Sequence, residues 1–186
     1  INFADMGVHL TFLGTGTSQG VPVIACDCEV CISSDPRDKR LRSSVLFEVE
    51  GEDAPQGPRT FVVDTGPDFR QQMLTHRVSS LDAVLFTHEH KDHVAGLDDI
   101  RAFNFRQKRD MDVYATPRVQ EALKREFKYV FDPHPYPGIP RVRLHEIDDR
   151  PFEVGGVQIV PLPVVHYKLP VLGFRIGNVA YITDAN

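Results

Sequence analysis

Apolar residues fall along the chain in short runs, and the period of each run predicts its element. Asp82-Ala83-Val84-Leu85-Phe86 is an apolar run of strand length, as a buried strand requires. The segment after it repeats apolar residues at Val94, Leu97, Ile100 and Phe103, which is a helical spacing. Upstream, Val8–Leu13, Ser43–Val49 and Arg59–Val63 read as strands, the last two joined by a polar loop from Glu50 to Pro58. Pro67–His76 suits a helix with proline in its first turn. Downstream, Val113–Ala115 reads as a short strand, and Pro117–Phe127 as a helix with Val119, Leu123 and Phe127 on one face. Four prolines between Phe131 and Pro140 exclude regular helix and predict a stiff loop. Arg141–Ile147, Phe152–Val154 and Val157–Leu162 read as further strands; Leu172–Ile176 and Val179–Thr183 pair across Gly177-Asn178 as a hairpin. The β-rich, α, β-rich order predicts an α/β (α+β) chain. No repeat, low-complexity tract or linker breaks it, so residues 1–186 are expected to form a single domain.

The 41% hydrophobic and 25% charged residues are ordinary for a globular domain long enough to bury a core. No apolar run approaches the ~20 residues that cross a bilayer, so no membrane partner is expected. A net charge of −5 argues against a surface built for general nucleic-acid binding. The basic run Arg37-Asp38-Lys39-Arg40-Leu41-Arg42 reads as a solvated face. Ile1 to Asp5 precede Met6 and are expected to be leader or added sequence rather than fold.

The chemistry is concentrated where the apolar run Asp82–Phe86 ends. Thr87-His88-Glu89-His90-Lys91-Asp92-His93 carries four metal-capable side chains spaced H-x-H-x-D-H. Residues two apart on extended chain point the same way, so His88 and His90 can converge on one ion. The chain then turns, and Asp92 and His93 face a second ion nearby. The three cysteines, Cys26, Cys28 and Cys31, lie within six residues. That spacing makes a poor disulfide framework and a good three-thiolate zinc site with one position left over. Reduced, clustered thiols place the protein in the cytoplasm. The loop Gly14-Thr15-Gly16-Thr17-Ser18-Gln19-Gly20 lacks both the P-loop ending and the dinucleotide spacing, and reads as a turn that lets backbones pass closely. His134 and Tyr136 read as surface-loop residues, and His9, His76 and His145 as structural or surface groups.

H-x-H-x-D-H after an apolar strand resembles the metallo-β-lactamase superfamily. Asp64 closes Arg59–Val63, His166 follows the strand from Val157, and Asp184 follows the strand from Val179, in the order that superfamily shows. The opening Phe12-Leu13-Gly14-Thr15-Gly16, with Gly20-Val21-Pro22, resembles ribonuclease Z and the PhnP-type phosphodiesterases. The cysteine triplet after this loop resembles the PhnP type. The resemblance implies an αββα sandwich. It implies that His88, His90 and His166 hold one divalent metal, Asp92 and His93 a second, and Asp184 bridges, with Asp92 and Asp184 as the catalytic carboxylates. Asp64 would support the metal-binding loops from behind. The active-site metals would be zinc or manganese, and Cys26, Cys28 and Cys31 would hold a structural zinc. A hydroxide activated by the two metals would hydrolyse a small, cyclic phosphodiester.

The same resemblance implies one more histidine on the second metal and one on the cysteine zinc, both from beyond Asn186. The chain is therefore expected to lack the C-terminal part of the sandwich, and a second copy lending it in a homodimer is the less favoured arrangement. A tRNA-processing nuclease, with nucleic acid as partner, ranks second; Asn104 to Arg141 shows no long Gly/Lys-rich RNA-grasping arm. A thioester or lactone hydrolase of the same fold, and a metal-binding protein without catalysis, are the other readings.

Overall fold

The computed structural model describes residues 7–50, 57–134 and 136–186. The expectations for Ile1 to Asp5 and for most of the Glu50 to Pro58 loop lie outside these residues. The elements are β1 (Val8–Gly14), α1 (Glu29–Ile32), β2 (Ser44–Val49), β3 (Arg59–Val63), α2 (Phe69–Thr75), β4 (Ala83–Leu85), α3 (Lys91–Val94), α4 (Arg101–Gln107), β5 (Met111–Ala115), α5 (Pro117–Glu126), β6 (Val142–Glu146), β7 (Phe152–Val154), β8 (Val157–His166), β9 (Leu169–Ile176) and β10 (Val179–Tyr181).

Strands β1 to β6 form one sheet in sequence order, and β10-β9-β8-β7 form a second. β1, β2 and β3 are antiparallel neighbours, whereas β3, β4, β5 and β6 run parallel. β1 therefore runs in the same direction as β3 to β6, and all five end at one edge. In the second sheet the antiparallel pairings leave β8 and β10 running the same way.

Alternation along the central strands builds two cores. Val45, Phe47, Phe61, Val63, Ala83 and Leu85 face the second sheet and pack on Ile159, Leu172, Phe174 and Ile176. Their neighbours Leu46, Val62 and Val84 point the other way, toward Phe69, Val94, Leu97, Phe103, Val119 and Leu123 of the helical layer. Covered on both faces, β3 and β4 carry the continuous apolar stretches Phe61–Val63 and Ala83–Leu85, as buried parallel strands do. Helix, sheet and sheet thus form three layers, as the expected αββα sandwich requires.

Several boundaries differ from expectation. The helical spacing from Val94 to Phe103 is broken into α3, a 3₁₀ turn at Leu97–Ile100 and α4. The break falls at Gly96, whose N–H leaves the helix to reach Thr65 O at 2.7 Å. β8 continues past Leu162 through Pro163 to His166, because β9 pairs with it from Ile159 to His166, which stands opposite Leu169. β7 covers only Val157–Ile159 of its other side, so Pro161 and Pro163 sit where β8 has no second neighbour. His145 is structural: its Nε2 lies 2.7 Å from Asp112 Oδ1 and its ring stacks on Tyr114. No helix among the described residues is long and apolar enough to cross a membrane.

Phe61 is fully buried between the sheets, whereas Phe105 is 65% exposed. Phe61→Ala should cost about 3–5 kcal/mol, and Phe105→Ala within about 0.5 kcal/mol. Urea midpoints of the two variants would show it; equal midpoints would mean that the intersheet core is not the main source of stability.

Candidate metal centre

Loops leaving the C-terminal ends of β3, β4, β8 and β10 meet at one point. His88 Nε2 lies 3.0 Å from His90 Nδ1 and 3.8 Å from Asp184 Oδ2. His93 Nε2 lies 3.3 Å from Asp92 Oδ2 and 3.4 Å from Asp184 Oδ2. His166 Nε2 lies 3.8 Å from Asp184 Oδ2. Donors ~2.1 Å from a shared tetrahedral ion stand ~3.4 Å apart, so these spacings suit coordination. Two groups of potential ligand atoms, each within 4.8 Å, are His88, His93, Asp184 and His90, His166, Asp184. Asp184 belongs to both, the place a bridging carboxylate must take. The expected partition set His88 with His90 and His166. Here His88 Nε2 stands between the two groups, near His90 as well as Asp184.

Behind these donors sits Asp64, fully buried. Its Oδ1 accepts from Thr87 N at 2.9 Å, and its Oδ2 accepts from Thr87 Oγ1 at 2.8 Å and from His93 Nδ1 at 2.7 Å. Thr87 Oγ1 is also 2.9 Å from His88 Nδ1. A hydroxyl has one proton; donated to Asp64, it leaves the oxygen to accept from His88 Nδ1–H. Asp64 and Thr87 thereby set both imidazoles with Nε2 facing the donor cluster. Asp64 and Asp184 both adopt left-handed backbone, φ 65° and 50°, in loops that carry the donors.

The charges are divided unequally. Burial, with His93 nearby, pushes His88 down to about 4, so it is neutral at pH 7. Burial also opposes charge on His93, but Asp64, Asp184 and Asp92 outweigh it and push His93 up to about 12. Hydrogen bonding to His93 holds Asp184 and Asp92 below the usual carboxylate range. One cation among three carboxylates leaves negative charge to spare, the balance a site for dications needs.

The donors open onto a cleft of about 720 Å³, whose lining includes His90, Asp92, His166 and Asp184 together with Thr15, Gly16, Thr17, Ser18 and Ser43. A depression of about 410 Å³ adjoins it, with Arg118, Tyr167 and Lys168 beside His90 and His166. Arg118 is held by Glu89 at 2.5 Å. Neither the glycine-rich loop nor Arg118, Tyr167 and Lys168 was read from sequence as part of the site. The available signal was topological: Thr15 and Arg118 follow β1 and β5, which end at the same edge as β3 and β4. Neither His134 nor Tyr136 lines either depression.

The cysteines are also brought together. Their sulfurs lie within 4.8 Å of one another around α1, a helical turn not read from sequence. The Cys31 N–H and the Cys26 side chain lower the Cys28 thiol to about 7, toward the thiolate that binds metal.

The family model for the β-lactamase superfamily domain matches residues 59–186. The chain belongs to the metallo-β-lactamase superfamily. A crystal structure of a new diphosphatase from the PhnP family superposes with a TM-score of 0.81 at 38% identity, covering 95% of this chain and 65% of that one. A protein named octanoyltransferase from Porphyromonas gingivalis is 46% identical over 173 residues, 92% of this chain but 34% of that protein. Coenzyme PQQ synthesis protein B of Methylorubrum populi is 33% identical over 125 residues, 60% of this chain and 38% of that one. The chain thus spans less than two thirds of the length of each of these relatives.

Asp64→Asn keeps the shape but loses the charge that orients His93, and should weaken zinc binding about 10–100-fold. Competition with a chelator measures this, and unchanged affinity would remove Asp64 from the site. His93 has a folded pKa raised from 6.5 to about 12. The stability it contributes is therefore complete below pH 6.5 and lost as pH rises toward 12. An ion at its Nε2 must displace the proton held there at pH 7. Zinc uptake should release protons and tighten as pH rises, read by calorimetry in two buffers of different ionisation enthalpy.

Proposed function

We propose that this chain is the metal-binding body of a PhnP-type hydrolase that cleaves a small phosphodiester. The observation that carries this reading is the likeness to the PhnP-family diphosphatase along 95% of the chain. The cysteine cluster and the histidine–carboxylate donor set support it. His90 and His166 would hold one divalent ion and Asp92 and His93 a second, with Asp184 in reach of both and His88 Nε2 beside His90 and Asp184. Imidazole and carboxylate donors suit zinc or manganese, and the three thiolates suit a structural zinc. Bound divalent ions would supply Lewis acidity and lower the pKa of water toward 7.

The chain's own residues supply the rest. Asp64 and Thr87 hold the imidazole tautomers, which keeps the donor atoms aimed without a reorganisation step. No separate protein nucleophile is needed. Arg118 and Lys168 stand where an anionic substrate would enter. The name octanoyltransferase belongs to a protein of which this chain matches 34%, and an acyl-transfer reading rests on nothing in this cleft. The thiols, kept reduced, suit the cytoplasm.

Elemental analysis and turnover of bis(p-nitrophenyl) phosphate with zinc or manganese test the reading. Exchanging Cys26, Cys28 and Cys31 for serine should remove one zinc per chain. His88→Ala should cut turnover roughly a hundredfold or more, beyond the effect of losing a supporting group. Hydrolysis of thioesters or lactones but of no phosphodiester would replace the proposal with its rival.

A further inference from the structure

The glycine-rich loop after β1 shares the cleft lining with the metal donors, and the proposed chemistry leaves it without a task. Three of its carbonyls are already occupied. Gly16 O accepts from Ser43 Oγ at 2.9 Å, Ser18 O from Arg42 Nε at 2.8 Å, and Thr17 O from Gly20 N at 2.8 Å. Gly16 N donates to Leu41 O at 2.7 Å, and a Cβ on Gly16 would stand 2.7 Å from Arg40 O, so only glycine lets the two backbones meet. Arg42 is fixed in turn: its Nη1 donates to Asp68 Oδ1 at 2.9 Å, and its backbone N–H donates to Asp68 Oδ2 at 2.8 Å.

With these acceptors occupied, the loop keeps donors to spare. Thr15, Thr17 and Ser18 are exposed and line the cleft. Among the described residues, none accepts a hydrogen bond from the Thr17 or Ser18 N–H. The cleft lining contains no lysine or arginine. One wall thus offers imidazoles and carboxylates, which suit cations, and the other offers neutral donors, which suit an oxyanion. A tetrahedral phosphoryl group carries two non-bridging oxygens, so one remains for a second wall when the other faces the metal donors. A lactone or thioester carbonyl has a single such oxygen and leaves the second wall unused.

We propose that Thr15–Ser18 forms an oxyanion cradle. Its hydroxyls and the Thr17 and Ser18 N–H groups hold a non-bridging oxygen of a phosphoryl substrate against the metal donors. The inference rests on the phosphodiester reading and assigns the loop its part in it. The cradle sets specificity for phosphoryl over carboxyl esters and stabilises charge that grows on the oxygen as the ester bond breaks.

The test combines Thr15→Val, Thr17→Val and Ser18→Ala in the zinc-loaded chain and measures binding of inorganic phosphate by ³¹P NMR titration. All three side chains are exposed, so the fold and zinc content should match the parent. Phosphate affinity should fall at least tenfold, and Thr15→Ser with Thr17→Ser should retain it. With bis(p-nitrophenyl) phosphate the triple variant should lose kcat more than KM. Phosphate binding within twofold of the parent, or a parent that binds no phosphate, overturns the cradle. A parent that binds phosphate through the loop but hydrolyses no diester upholds the cradle and removes the diesterase reading. A parent that hydrolyses diesters and is matched by the triple variant does the reverse.

Discussion

Asp64 is a carboxylate sealed from water, and burying such a charge is tolerated only with donors on both oxygens and a cation beside it. Thr87 and His93 supply them. The requirement ties the end of β3 to the loop after β4, because those partners all come from that loop. The backbone repeats the connection: Asp64 N donates to Leu85 O at 2.9 Å, Thr65 N to His93 O at 2.8 Å and Gly96 N to Thr65 O at 2.7 Å. Gly66 and Gly96 make the interlock sterically feasible. A Cβ on Gly66 would run into the Asp92 carbonyl, and one on Gly96 would come within 2.9 Å of Phe69 Cβ. The donor loop is therefore held by strand ends and an ion pair at once, which is how a mobile polar segment becomes a fixed ligand set.

Strand direction does the remaining assembly. Two reversals, at β2 and β3, return β3 to the direction of β1, and the parallel β4 and β5 continue it. Loops carrying Thr15, Asp64, His88 and Arg118 emerge at one edge for that reason. β8 and β10 bring His166 and Asp184 to the corresponding edge of the other sheet. The two edges are joined where Leu172 N donates to Thr87 O at 3.1 Å, above the intersheet core of Phe47, Phe61 and Phe174. Hydrophobic packing between the sheets is thus also what sets the distance between the donors of one sheet and those of the other.

Burial grades across the centre. His88 and His93 are buried, Asp184 is partly covered, and His90 is exposed to the cleft. The buried members are oriented by Asp64 and Thr87, while the exposed ones face the space a substrate would occupy. A rigid, oriented rear and an open front are what a site needs to hold ions firmly and still admit a substrate.

The amino-acid order by itself determined the strands, the helical face of α5 and the H-x-H-x-D-H donors, because these depend on period and spacing over a few residues. Asp64, His166 and Asp184 were marked only by the resemblance to the metallo-β-lactamase superfamily, from their places after successive strands. The interrupted helix after His93 was not legible, since Gly96 leaves the helix for a partner 31 residues away in sequence, Thr65. That Thr15, Thr17, Ser18 and Arg118 lie beside the donors was hidden for the same reason. Only the order of strands in the sheet places their segments beside the histidines. Local pattern decided which residues can hold metal; sheet topology and the packing of two sheets decided which residues face them, because those contacts join segments whose separation along the chain carries no periodic signal.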